Sequence, residues 1–105
     1  MTIDIDALTS AMTSAGAAAF AGSWDAVQDF AGPELHKIAV QIAAIETGGY
    51  DQDIAKKLLA MQVESAVDVL IAMAEITALQ VQTAINAILK AVAGQVNGAL
   101  GFVLL

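Results

Sequence analysis

The chain has 105 residues, 58% of them hydrophobic, with no cysteine and a formal net charge of −7 from 4 lysines and 11 acids. The lack of cysteine excludes disulfides and thiol chemistry, and so acidic a chain excludes a protein that follows a nucleic-acid backbone. A domain of this size has too little interior for so much apolar surface, so either many of its 23 alanines are exposed or other subunits or lipid cover the remainder.

The composition predicts an all-α protein, with residues 1–105 forming one helical domain. Alanine has the highest helix propensity, and the chain contains a single proline. The first helix is expected from about Asp6 to Ala21, where Asp4 or Asp6 caps its start and Gly22 offers a stop.

The second helical segment contains the proline. In "AGPEL", Pro33 follows Gly32, and a proline in this position either starts a new helix or kinks a continuous one. We predict a break or a sharp kink here. Beyond it, apolar residues recur at helical spacing until Gly48 and Gly49 end the segment.

We predict that the third segment forms one long C-terminal helix, over about residues 51–97. Asp51 is a suitable N-cap, and no glycine or proline interrupts the next forty residues. A helix of 47 residues would span about 70 Å, more than the width of a small domain. We therefore expect a helical hairpin or bundle, with shorter N-terminal helices folded along the long helix and oligomerisation completing the fold.

The first part of this predicted helix carries mostly larger, apolar side chains at heptad spacing, which suit an intramolecular core. They are Leu59, Val63, Ala66, Leu70, Met73 and Thr77. Polar residues recur with a helical period of about 3.67 residues and predict one narrow polar strip. They are Glu64, Asp68, Glu75, Gln82, Asn86, Lys90 and Asn97.

The last part of the chain carries small residues at heptad spacing, followed by an apolar end. The small residues are Ala84, Ala87, Ala91, Gly94, Gly98 and Gly101, and the end contributes Phe102, Leu104 and Leu105. Two helices can approach closely where no side chain exceeds a methyl group. We predict that these nine residues form a subunit interface, between copies of this chain or with a helical protein partner. The alternative is that this end packs under the alanine-rich ridge of the first helix.

A membrane-active or pore-forming protein is the alternative function, with the C-terminal half inserting on oligomerisation. Lys90 is preceded by 14 uncharged residues and followed by 15, and both stretches are shorter than the roughly 20 apolar residues of a spanning helix. The N-terminus "MTIDID" does not resemble a secretory signal. A cytoplasmic location is therefore the expectation, with membrane association as the alternative.

The chain offers few groups for catalysis or metal binding. His36 is the only histidine, and one histidine without cysteine does not make a usual zinc site. We predict no catalytic residues, no metal and no cofactor. The sequence thus favours a non-enzymatic, self-associating helical protein with a structural, scaffolding or protein-interaction role.

Overall fold

The computed structural model describes residues 3–105, in which four α-helices follow one another through short connections. They are α1 (Ile5–Phe20), α2 (Trp24–Gly48), α3 (Gln52–Met73) and α4 (Ala78–Leu100), with a 3-10 turn at Ala21–Ser23 between α1 and α2. Within this described range there is no β-strand. The all-α prediction is confirmed.

Helix α1 starts and ends close to where the sequence predicted. The Asp4 side chain caps it by accepting a hydrogen bond from the Ala7 amide at 3.0 Å. The chain leaves the helix through Ala21, which has a φ of 49°. With a ψ of −120°, Ala21 lies outside the left-handed helical region, and it ends α1 one residue before Gly22, the predicted stop.

Of the two alternatives predicted at Pro33, a break or a sharp kink, the break is wrong, because α2 continues through this residue from Trp24 to Gly48. Pro33 is exposed, and its ring therefore does not disturb the core. A residue before proline normally leaves the helical conformation because its Cβ clashes with the proline ring, and Gly32 has no Cβ. Buried residues on both sides of Pro33, among them Ala31 and Leu35, favour a continuous helix.

The prediction of one helix over residues 51–97 is also wrong. The chain leaves the helical conformation at Ala74 and re-enters it at Ala78, so α3 and α4 are separate helices and α2 is the longest. Thr77 and Gln80 form a capping box: the Gln80 amide donates to Thr77 Oγ1 at 3.1 Å, and the Thr77 amide donates to Gln80 Oε1 at 3.0 Å. A 70 Å rod could not fit a molecule whose longest extent is 38 Å.

The four helices enclose one hydrophobic core. Helix α1 packs against α2 and α4, and α2 also packs against α3. The contact between α3 and α4 is smaller and leaves a groove between them. The largest fully buried side chains come from all four helices and include Leu8, Met12, Leu35, Ile38, Ile42, Leu70, Ile85 and Ile88.

Candidate functional site

The small residues predicted as an interface differ in how exposed they are. Ala87, Ala91, Gly94 and Gly98 are exposed, and we call these four residues the small-residue face. Ala84, at the start of the predicted row, is 2% exposed and belongs to the chain's own core. Gly101 is exposed with a φ of 79° and ends α4 as its C-cap.

The small-residue face presents only methyl groups and backbone to its surroundings. A Cβ added at Gly94 or Gly98 would meet no atom of the described residues within 4 Å, apart from the helix itself. The core-facing side of α4 carries larger residues instead, namely Val81, Ile85, Ile88, Val92 and Val96. Such a face has no group for proton transfer or nucleophilic attack, but it lets another backbone come close.

The apolar residues after α4 return to their own chain. Leu104 is 6% exposed and belongs to the core, while Phe102 and Leu105 are half-buried against it. We expected these residues to contact a neighbouring subunit. Leu104 has little side-chain surface left for such a contact, and the contact itself stays a prediction for these residues.

Asn97 holds this returning segment in place. Its Oδ1 accepts hydrogen bonds from the amides of Leu104 at 2.8 Å and Leu105 at 3.0 Å, and its Nδ2 donates to the Leu105 carbonyl at 3.1 Å. Gln52 Nε2, at the start of α3, donates to the Val103 carbonyl at 3.0 Å. Asn97 belongs to the predicted polar strip, and its role here is to satisfy backbone groups that would otherwise lie unpaired near the core.

A groove lies between α3 and α4. It has a volume of about 510 Å³, and the returning segment closes part of it. Its lining is Lys56, Leu59, Ala60, Val63, Asn86, Leu89, Lys90, Ala93, Leu104 and Leu105. Sequence reasoning missed this groove, because it assigned α3 and α4 to a single straight helix.

One carboxylate is buried away from these surfaces. Glu34 is 4% exposed, and its Oε2 accepts a hydrogen bond from Lys37 Nζ at 2.9 Å. Its Oε1 is buried without a hydrogen-bond partner among residues 3–105. Lys37 keeps its ammonium group largely in solvent while its charge compensates the buried carboxylate. The pair is local, one turn apart on α2, and its geometry supports a structural role.

The described residues bring together no cluster of three or more histidine or acidic side chains that could bind a metal. His36 is exposed, and its Nδ1 lies 3.4 Å from Thr9 Oγ1. None of the helices within residues 3–105 has the length and hydropathy needed to cross a bilayer.

No protein-family model, no curated protein and no solved structure matches this chain. The function must therefore be argued from the residues and their geometry.

Of the features that the sequence-based prediction missed, the start of α4 does have a sequence signal. The capping box of α4 appears as "TALQ", the Thr-x-x-Gln form of that motif. By contrast, the hydrogen bonds from Asn97 and Gln52 to the last residues join distant parts of the chain. No local pattern indicates that α3 and α4 lie side by side.

Proposed function

We propose that this protein is a non-enzymatic helical protein that self-associates through the small-residue face of α4 and serves a structural or scaffolding role. The observation that supports the proposal is the exposure of Ala87, Ala91, Gly94 and Gly98 along one side of a well-packed helix. In the monomer this face covers nothing, and a second helix could lie along it.

Gly94 and Gly98 provide an energetic argument for a helix–helix contact at the small-residue face. A glycine inside a helix costs about 0.5–1 kcal/mol relative to alanine, because it loses more backbone entropy on folding. Gly94 and Gly98 are helical and exposed, and an added methyl group would meet no neighbouring atom. Packing within the monomer therefore gives no reason for either glycine, whereas a close helix–helix contact gives one for both.

The small-residue face can stabilise an assembly through several small contributions to the free energy of association. Close backbones gain dispersion contacts and weak Cα–H···O hydrogen bonds along the whole line of approach. The polar residues Asn86 and Lys90 are exposed on the same helix and can form the hydrated rim of such a contact. A helix of another protein could make the same contacts with the small-residue face. A complex with such a partner, instead of a second copy of this chain, is the competing outcome.

The test is sedimentation velocity of the purified protein over a wide concentration range. We expect reversible, concentration-dependent association. Gly94→Leu with Gly98→Leu should weaken the association by about tenfold or more, because two large side chains hold the backbones apart. Circular dichroism should show that the variant remains helical, since leucine is the better helix former.

The matched control places two leucines on the exposed side of another helix. Ala26→Leu with Ala44→Leu adds similar apolar area to α2, which has little contact with α4. This variant should associate like the wild type. A wild-type protein that stays monomeric at every concentration would refute self-association, as would stronger association of the Gly94/Gly98 variant.

A further inference from the structure

The groove between α3 and α4 has the size of a small-molecule site. Its volume of about 510 Å³ lies within the roughly 300–1,000 Å³ typical of ligand pockets. None of the four residues of the small-residue face lines it, and the two surfaces share only Asn86 and Lys90 at the rim of the proposed association contact. The inference about a ligand therefore does not rest on the residues that carry the proposed self-association.

The walls of the groove are mostly aliphatic. Leu59 and Val63 from α3 face Leu89 from α4, and Leu104 of the returning segment also contributes. Alanines at positions 60 and 93 leave room between these larger side chains. Such walls suit an alkyl chain, whose transfer from water is favourable for every methylene group buried.

The charge of the groove is opposite to that of the protein. Two of the chain's 4 lysines, Lys56 on α3 and Lys90 on α4, line it, and none of the 11 acids does. Among residues 3–105 the only ion pair is that between Lys37 and Glu34, so no carboxylate lies within 4 Å of either groove lysine. An apolar groove lined by two lysines that form no ion pair is complementary to an anion that carries an aliphatic chain.

We propose that this groove binds a single-chain aliphatic carboxylate, the chemical class of the fatty acids. The alkyl chain lies along Leu59, Val63 and Leu89, and the carboxylate accepts charge-assisted hydrogen bonds from Lys56 and Lys90. Asn86, the remaining polar residue of the lining, supplies a further amide group beside Lys90.

Dodecanoate, used below its critical micelle concentration, is the probe. Titration of the full-length, isotope-labelled protein should shift the amide resonances of the groove residues and saturate at one molecule per chain. Dodecanol has the same chain without the charge, and it should bind about tenfold more weakly or less. Acetate, which has the charge without the chain, should leave the spectrum unchanged.

Substitutions separate the charge from the apolar walls. Lys56→Gln with Lys90→Gln should weaken dodecanoate binding by about tenfold and leave dodecanol binding unchanged. Lys57→Gln is the matched control, because Lys57 is exposed on the same helix and does not line the groove. Ala60→Trp fills the groove from an exposed position and should weaken both ligands.

Three outcomes would overturn the proposal. The first is that dodecanoate does not bind to the wild-type protein, although the spectrum shows a folded helical protein. The second is equal affinity for dodecanol and dodecanoate, or resonance shifts that cluster away from the groove. The third is binding to vesicles of phosphatidylglycerol but not to monomeric dodecanoate, which would assign the lysines to an anionic lipid surface instead.

Discussion

Gly16 and Gly94 are both helical glycines, yet their surroundings differ completely. Gly16 is buried in α1, and a Cβ at this position would lie 2.8 Å from Trp24 Cζ3 and 3.5 Å from Ile88 Cδ1. The missing side chain thus lets the Trp24 ring and α4 approach α1. At Gly94, by contrast, a Cβ would point into open space.

This difference predicts different effects of the same substitution. Gly94→Ala should raise the free energy of unfolding by about 0.5–1 kcal/mol through helix propensity alone. Gly16→Ala gains the same propensity but crowds the Trp24 ring, and overpacking costs about 1–3 kcal/mol. We expect Gly16→Ala to be less stable than Gly94→Ala by about 1–3 kcal/mol in urea denaturation, measured at a concentration where the wild type is monomeric. Equal stabilisation by both substitutions would mean that the Trp24 ring can move aside freely.

At the scale of helices, glycine and proline do not decide every turn of this chain. Helix α2 passes through Pro33, whereas α3 and α4 separate at Ala74–Thr77 without a glycine or a proline. The Thr77–Gln80 capping box satisfies backbone groups at the start of α4. Separation also lets the apolar sides of both helices reach the same core, which one straight rod would prevent.

Removing the cap tests this explanation. Thr77→Ala should lower the free energy of unfolding by about 1 kcal/mol, because the Gln80 amide loses its acceptor. Thr83→Ala, at an exposed position inside α4, is the control and should be neutral or slightly stabilising. Chemical denaturation of both variants gives the comparison. If Thr77→Ala is as stable as Thr83→Ala, packing alone determines the turn.

At the scale of the whole molecule, the segment after α4 joins three parts of the chain. Asn97 binds the backbone of Leu104 and Leu105, Gln52 binds that of Val103, and Leu104 lies in the core. These contacts close the end of the groove between α3 and α4. The segment therefore contributes to the stability of the monomer, whatever the monomer then associates with.

Asn97→Ala should accordingly lower the free energy of unfolding by about 1–3 kcal/mol, because half-buried amides lose their acceptor. Gln95→Ala, at an exposed position two residues earlier, should change the stability little. Hydrogen exchange should show the Leu104 and Leu105 amides losing protection in Asn97→Ala. Unchanged exchange of these amides would show that the hydrogen bonds to Asn97 do not hold the segment.

Most of the local structure could be predicted from the sequence. The helical content, the start of α1 at Asp4, the end of α2 at Gly48 and Gly49, and the start of α3 at Asp51 all follow from propensity and capping within a few neighbouring residues. The exposure of the small-residue face is compatible with the predicted interface, and the association itself stays a prediction.

The tertiary structure decided which surfaces are free. Ala84 and Gly98 are both small residues of one periodic row, but Ala84 is buried and Gly98 is exposed. The row could not show this difference, because burial depends on where the other three helices lie. Likewise, Lys56 and Lys90 are 34 positions apart, and they line one groove because the chain turns between them. Local propensity acts over one or two helical turns, whereas these pairings arise from burying four apolar surfaces in one core.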